Sequence, residues 1–187
     1  MRIIVGITGG SGAIYALALL SCLRELCIET HLVVSDMGMR VMEHECGVTL
    51  EELRACADVF HENDNLAASV ASGSFQADGM VIVPCSMKTL SAVANGFSDT
   101  LLARAADVCM KERRRLVLVV RETPYNSVHL ENMLRLSHAG AIMLPASPAF
   151  YNRPQTIGDI VKFMSGKILD QLQIEHEFYA RWNGELT

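Results

Sequence analysis

A chain of 187 residues, half of them hydrophobic and one-fifth charged, is long enough to bury a full core, and a single domain over 1–187 is expected. Its net charge of −5 offers nothing to a polyanion and argues against nucleic acid as a partner. No run reaches the roughly 18 uninterrupted apolar residues of a membrane span, and a charged fraction below the usual quarter implies surface covered in a homo-oligomer.

Arg2-Ile3-Ile4-Val5-Gly6-Ile7-Thr8 reads as an apolar strand over 3–7, followed by Gly9-Gly10-Ser11-Gly12-Ala13 and a helix over 12–26. Strand, glycine turn and helix make a phosphate cradle, because glycines admit close backbone approach and a helix start offers N–H groups and a positive dipole end. Such an interaction is worth roughly 0.3–1 kcal/mol when exposed and about 2 when partly buried. The turn is neither G-x-G-x-x-G nor G-x-x-x-x-G-K-[ST], so it points to a phosphorylated cofactor other than the usual dinucleotide or nucleoside triphosphate. Leu19-Leu20-Ser21-Cys22 mimics the end of a lipoprotein signal, but Gly9-Gly10-Ser11-Gly12 interrupts the apolar segment, and 3–34 forms one strand–helix–strand unit.

Strand 30–34 then leads to helix 37–46, and a helical stretch over 49–57 precedes a looser region, 58–77. Strand 79–84 leads to helix 87–95, helix 99–114 to strand 116–120, and helix 127–138 to Gly140 as its C-terminal stop. Strand 141–145 enters a Pro-rich loop over 145–154, after which Thr156 and Asp159 read as N-cap and N3 of a last helix. Strands without polar alternation are buried on both faces. The pattern is therefore α/β, a parallel sheet between two layers of helices.

In open α/β sheets, ligands sit beyond the carboxyl ends of the strands. The residues in those places are Thr8 to Ser11, Ser35, Cys85 to Thr89, and Arg121-Glu122. They bring hydroxyls, a lysine, an arginine and one carboxylate to a common edge, a set suited to a phosphate ester and a proton transfer. The six cysteines form no C-x-x-C pair and read as reduced core thiols of a cytoplasmic protein. The histidines form no H-x-x-x-H or H-E-x-x-H, and no metal is implied.

Several blocks together carry a resemblance. They are Gly9 to Ala13, Pro84-Cys85-Ser86-Met87-Lys88-Thr89-Leu90, Arg104 to Val108, Lys111 to Arg114, Arg121-Glu122-Thr123-Pro124, His129 to Leu134, and Pro148-Ala149-Phe150-Tyr151-Asn152-Arg153-Pro154. The chain resembles the UbiX/Pad flavin prenyltransferases from Arg2 to about Gly184, and the ending Arg181-Trp182-Asn183-Gly184 is similar to members associated with hydroxyarylic-acid decarboxylases. The resemblance implies a Rossmann/flavodoxin-like fold. It implies transfer of a dimethylallyl group from dimethylallyl monophosphate to N5 and then C6 of reduced FMN. The prenylated FMN would pass to a UbiD-type decarboxylase, and the enzyme would be a homo-oligomer, a dodecamer by analogy.

The same resemblance assigns FMN binding to Gly9, Gly10, Ser11, Ser35, Ser86, Met87, Lys88, Thr89 and Arg121. It assigns the prenyl phosphate to Lys111, Arg121, Tyr151 and Lys167, and catalysis to Ser11, Glu45, Glu122 and Tyr151, with Glu45 in the ring closure. Asp36 stands where many members carry lysine, and Lys167 where arginine also occurs, so the bidentate fork is absent. The chain lacks the Asp-rich motif with which prenyl diphosphate enzymes bind Mg²⁺, and three cations with Tyr151 could neutralise a monophosphate instead. Two other readings stay open. One is an FMN-dependent peptidyl-cysteine-type decarboxylase, whose Ala-Ser-Ala-Asn stands where this chain has Cys85-Ser86-Met87-Lys88. The other is a non-enzymatic electron-transfer flavoprotein.

Overall fold

Six short strands, nearly all rich in aliphatic side chains, pair in parallel in the order β3-β2-β1-β4-β5-β6. They are β1 (Arg2–Ile7), β2 (Glu29–Val34), β3 (Val59–His61), β4 (Gly79–Cys85), β5 (Arg115–Val120) and β6 (Ile142–Met143). Among the described residues the α-helices are α1 (Ala13–Glu25), α2 (Asp36–Cys46), α3 (Leu50–Arg54), α4 (Met87–Ala94), α5 (Leu101–Lys111), α6 (Ser127–His138) and α7 (Ile157–Gln171). This architecture comes from a computed structural model, which describes residues 1–182 and 184; Asn183 of the C-terminal motif lies outside the described residues.

Side chains of a strand alternate between faces, and here both faces are apolar. Ile3, Val5, Ile7, Val81, Val83, Val117 and Val119 pack under α1 and α7, whereas Ile4, Met80, Ile82, Leu116, Leu118 and Val120 pack under α4, α5 and α6. The result is the expected three-layer, doubly wound sheet. The strand order reverses between β1 and β4, which makes the carboxyl ends of those two strands the topological switch point. Among the described residues no helix is long and apolar enough to cross a membrane, and all six cysteines are free.

Local signals place the helix ends. Thr156 accepts from Asp159 N at 3.1 Å while Asp159 accepts from Thr156 N at 2.9 Å, the capping box read in the sequence. Gly140 follows the end of α6 with φ +99°. The region 58–77 is less loose than expected: it contains β3, a three-residue edge strand too short to carry a period, and a 3₁₀ turn at Ser69–Ala71. The expected helix 99–114 is trimmed to Leu101–Lys111 because Thr100 caps it, and the expected strand 141–145 shortens to two residues.

Leu169 on α7 is fully buried between that helix and the sheet. Leu169→Ala is expected to lower unfolding free energy by about 2–5 kcal/mol, the range for buried leucine truncations. Urea denaturation followed by circular dichroism will measure it.

Candidate active site

The switch point is held together by one buried hydroxyl. Thr8, 1% exposed, donates from Oγ1 to Pro84 O at 2.7 Å and accepts from Ser86 N at 2.8 Å. The end of β1 is thereby tied to the start of α4. Beyond it opens a cavity of about 460 Å³, within the usual range for cofactor sites. Gly9, Ser35, Ser86, Lys88 and Thr89 line it, together with Asp36, Met37, Asn63, Thr100 and Leu102. A second hollow of about 320 Å³, near Glu29 and Cys56, lies at the amino end of β2 and holds none of the predicted residues.

Two helices start at the cavity, each with a serine cap. Ser35 accepts from Gly38 N at 3.1 Å, which opens α2. Ser86 accepts from Thr89 N at 3.4 Å and donates to Thr89 Oγ1 at 3.2 Å, which opens α4. The hydroxyl protons of Ser35 and Thr89 are then left for a ligand oxygen. With the Lys88 ammonium and the α4 start, whose first turn carries no acid, this donor set fits a phosphate ester even with Asp36 in the first turn of α2, and Met37 and Leu102 offer apolar surface for a ring. FMN, a phosphate ester carrying a flat ring system, matches that chemistry.

The start of α1 differs from expectation. Its N–H groups are not left for a phosphate, because Glu45 of α2 fills the position. The carboxylate accepts from Gly12 N at 2.8 Å and from Ala13 N at 2.9 Å. Gly12 has φ +101°, a conformation that suits glycine and turns its N–H toward the carboxylate. Burial pushes the Glu45 carboxyl up, but the Ser11 hydroxyl, the two backbone N–H groups and the Arg121 charge outweigh it and hold the group below its usual range. Arg121 in turn donates from Nε to Ser11 O at 3.3 Å. Ser11, Glu45 and Arg121 are thus one cluster at the same carboxyl edge of the sheet as the cavity. Tyr15 belongs to it also: burial raises its hydroxyl pKa, and the Arg121 charge opposes this.

Of the other predicted residues, Gly10 is buried and Met87 packs half-buried against the core over α4. Glu122 is exposed beside Arg121 and accepts from Thr123 N at 2.9 Å. Tyr151 lies in the Pro-rich loop with its ring 6.0 Å from Phe163 and 5.7 Å from Trp182. Lys167, on α7, has Nζ 3.6 Å from Asp170. The described contacts of Tyr151 and Lys167 run along α7 and the C-terminal segment rather than to the Ser11 cluster.

Lys111 does not join either group within one protomer. It ends α5, paired with Glu112, while Thr100 at the other end of α5 faces the cavity. A helix of 11 residues separates them by about 16 Å. The cysteine after Pro84 is no nucleophile, because complete burial pushes the Cys85 thiol up to about 12.

Sequence reasoning missed Asn63 and Thr100. Thr100 stands directly before an apolar helical run, a legible cap signal. Asn63 has no such signal: it accepts from Leu101 N at 2.8 Å and Leu102 N at 3.1 Å across the chain, a contact that only the fold creates.

A doubly wound α/β sheet with a phosphate-ester cavity at its switch point defines a protein that binds a nucleotide-type cofactor. The Flavoprotein family profile matches residues 1–169. The flavin prenyltransferase UbiX of Methanocaldococcus jannaschii is 47% identical over 97% of this chain and 98% of its own. The crystal structure of AnUbiX (PadA1) in complex with FMN and dimethylallyl pyrophosphate is 47% identical, covers 98% of both chains and superposes with a TM-score of 0.97. A dodecameric FMN-dependent UbiX-like decarboxylase from Escherichia coli O157:H7 is 48% identical, covering 98% of this chain and all of its own, with a TM-score of 0.96. The chain belongs to the Flavoprotein family and, within it, to the UbiX flavin prenyltransferases. Peptidyl-cysteine decarboxylase EpiD, at 14% identity and a TM-score of 0.67, shares the fold alone.

Because its folded-state pKa is depressed, the Glu45 carboxylate stabilises the protein above the ordinary carboxylate range and loses that contribution as pH falls through the folded value. Glu45→Ala is expected to cost about 1 kcal/mol at pH 7, as for a lost N-terminal acceptor at an exposed position. The gap between the two proteins should close on acidification, which thermal melts in a pH series will follow.

Proposed function

We propose that this chain binds reduced FMN in the cavity between α2 and α4 and joins a dimethylallyl group to it, first at N5 and then at C6. The observation that supports the reading most is the Ser11–Glu45–Arg121 cluster at the same carboxyl edge of the sheet as a phosphate-ester cavity. Ser35, Ser86, Lys88 and Thr89 hold the flavin phosphate end, and Gly9 backs it. FMN, when bound reduced, supplies the nucleophilic ring positions.

The residues of the chain provide orientation and protons. Arg121 meets the departing phosphate with a fork that suits two of its oxygens. Glu122, exposed beside it, delivers a proton to the same group. Glu45 is held ionised by Ser11 and the start of α1, ready to take a proton during closure of the added ring. Tyr151 and Lys167 serve the prenyl phosphate from the α7 side. Lys111, a helix length from the cavity in its own protomer, can serve only the site of a neighbouring copy. The assembly we propose is a homo-oligomer of dodecamer type, like the E. coli relative, working in the cytoplasm and passing prenylated FMN to a UbiD-type decarboxylase.

The solved relative holds the diphosphate of the same five-carbon group. A preference for the monophosphate in this chain is supported by its lack of an Asp-rich motif and by a phosphate site built from cations and Tyr151. Activity in EDTA should equal that without chelator; loss in EDTA with recovery on adding Mg²⁺ would overturn the reading.

Glu122→Gln should slow formation of the first bond by roughly 10²–10⁴, as for a lost general acid. Glu45→Gln keeps an oxygen for the α1 cap but loses the base. It should allow the mass gain of one prenyl group yet stall before the spectrum of the four-ring product. Rapid mixing of reduced FMN and dimethylallyl monophosphate, with absorbance and mass detection, separates these outcomes. Wild-type rates in both variants would reduce the carboxylates to structural roles.

A further inference from the structure

The α7 side of the site is organised around a single carboxylate that no step above uses. Asp170 is only 16% exposed in its side chain, and four donors converge on it. Arg181 donates from Nη2 at 2.9 Å and the buried His176 stands at 3.2 Å, both on Oδ1. Tyr179 donates its hydroxyl to Oδ2, toward which Lys167 Nζ is directed from 3.6 Å. Three of these contacts are hydrogen bonds, and the Lys167 contact is an ion pair.

These contacts fold the segment after α7 back onto the helix. The Tyr179 ring sits over Gly166, where an added Cβ would stand 2.4 Å from Tyr179 Cδ1, so position 166 leaves no room for a side chain. The ring then packs edge-on to Phe163 with centroids 5.0 Å apart, and Phe163 packs edge-on to Tyr151 at 6.0 Å. Asn152, next to Tyr151, donates from Nδ2 to Ala180 O at 3.2 Å. The Lys167 ammonium lies 5.9 Å from the centre of the Tyr179 ring. One carboxylate therefore pairs with Lys167 directly and reaches Tyr151 through two rings packed edge-on.

We propose that Asp170 is a positioning residue of the prenyl-phosphate site, fixing Lys167 by direct contact and the Tyr151 loop through Tyr179 and Phe163. This rests on the assignment of Tyr151 and Lys167 to that phosphate. The geometry also leaves the lysine usable. At 3.6 Å its contact is longer than a charge-assisted hydrogen bond, so ammonium protons stay available to an incoming anion. The carboxylate stays ionised: burial pushes its pKa up, but hydrogen bonds from Tyr179 and Arg181 and the nearby positive charges bring it below its usual value. Tyr179, pushed up to about 12 by burial and by Asp170, keeps the proton it donates.

The test uses the full-length assembled protein, with reduced FMN and dimethylallyl monophosphate as substrates. Asp170→Asn and Tyr179→Phe are compared with Lys167→Ala and Tyr151→Phe. Asp170→Asn should raise KM for the monophosphate about tenfold while the Kd for FMN, read by flavin fluorescence, stays within about twofold. Tyr179→Phe should move the same split by a smaller factor. If Lys167→Ala and Tyr151→Phe raise KM but Asp170→Asn and Tyr179→Phe do not, the positioning role is wrong and the phosphate site stands. If Lys167→Ala and Tyr151→Phe leave KM unchanged, the phosphate assignment falls, and this inference with it. Should Asp170→Asn lose flavin binding or assembly by light scattering, Tyr179→Phe decides on the same KM split, because it keeps the ring contacts and drops only the hydroxyl.

Discussion

The site depends on the buried hydroxyl of Thr8. It adds to the bond that Pro84 O already accepts from Thr8 N, and it gives the Ser86 N–H, in the turn after β4, its acceptor. An unmet buried polar group costs about 1–3 kcal/mol, so the register between the end of β1 and the start of α4 is strongly held. Ser86, Lys88 and Thr89 enter the cavity from one side of that junction and Gly9 from the other. A ligand spanning the two meets a surface organised before it arrives, which lowers the ordering cost of binding.

The second constraint is electrostatic. Three helices, α1, α2 and α4, begin near the same edge, and each brings a positive dipole end. The chain answers α1 with Glu45 and places Asp36 in the first turn of α2, whereas α4, capped like α2 by a serine, has no acidic residue in its first turn. A phosphate is thereby directed to the α4 side. Glu45 caps the start of α1, and the Ser11 hydroxyl and the Arg121 charge help to keep it ionised there.

The half proposed to take the prenyl phosphate is built by different means. Tyr151, Lys167 and Asp170 are tied together by aromatic edges and ion pairs along α7 and the chain end. Lys111 stands a helix length from the cavity of its own protomer. A site whose cations are distributed in this way suits an enzyme that works as an assembly. It also fits the exposed Leu130 and Leu134 on α6 and Ile157 at the start of α7, apolar side chains in the sort of positions that subunit contacts cover.

Much of this protein was legible in one dimension. Both-face apolar strands announced a parallel sheet, because a strand with no polar alternation has no face to give to water. Thr156 with Asp159 announced a capping box, and the polar residues at strand ends announced the edge where ligands sit. These are local facts of side-chain type and period. The three-residue strand β3, the role of Asn63 in opening α5, the capture of the α1 start by Glu45 and the convergence of four donors on Asp170 were not legible. Each joins residues separated along the chain or on separate elements, and none leaves a local pattern. The sequence by itself determined the layers, the caps and the chemistry available at the edge. Only the tertiary structure decided which helix start a carboxylate would neutralise and which would remain for a phosphate, because that choice is set by packing α2 against α1 across the end of β1.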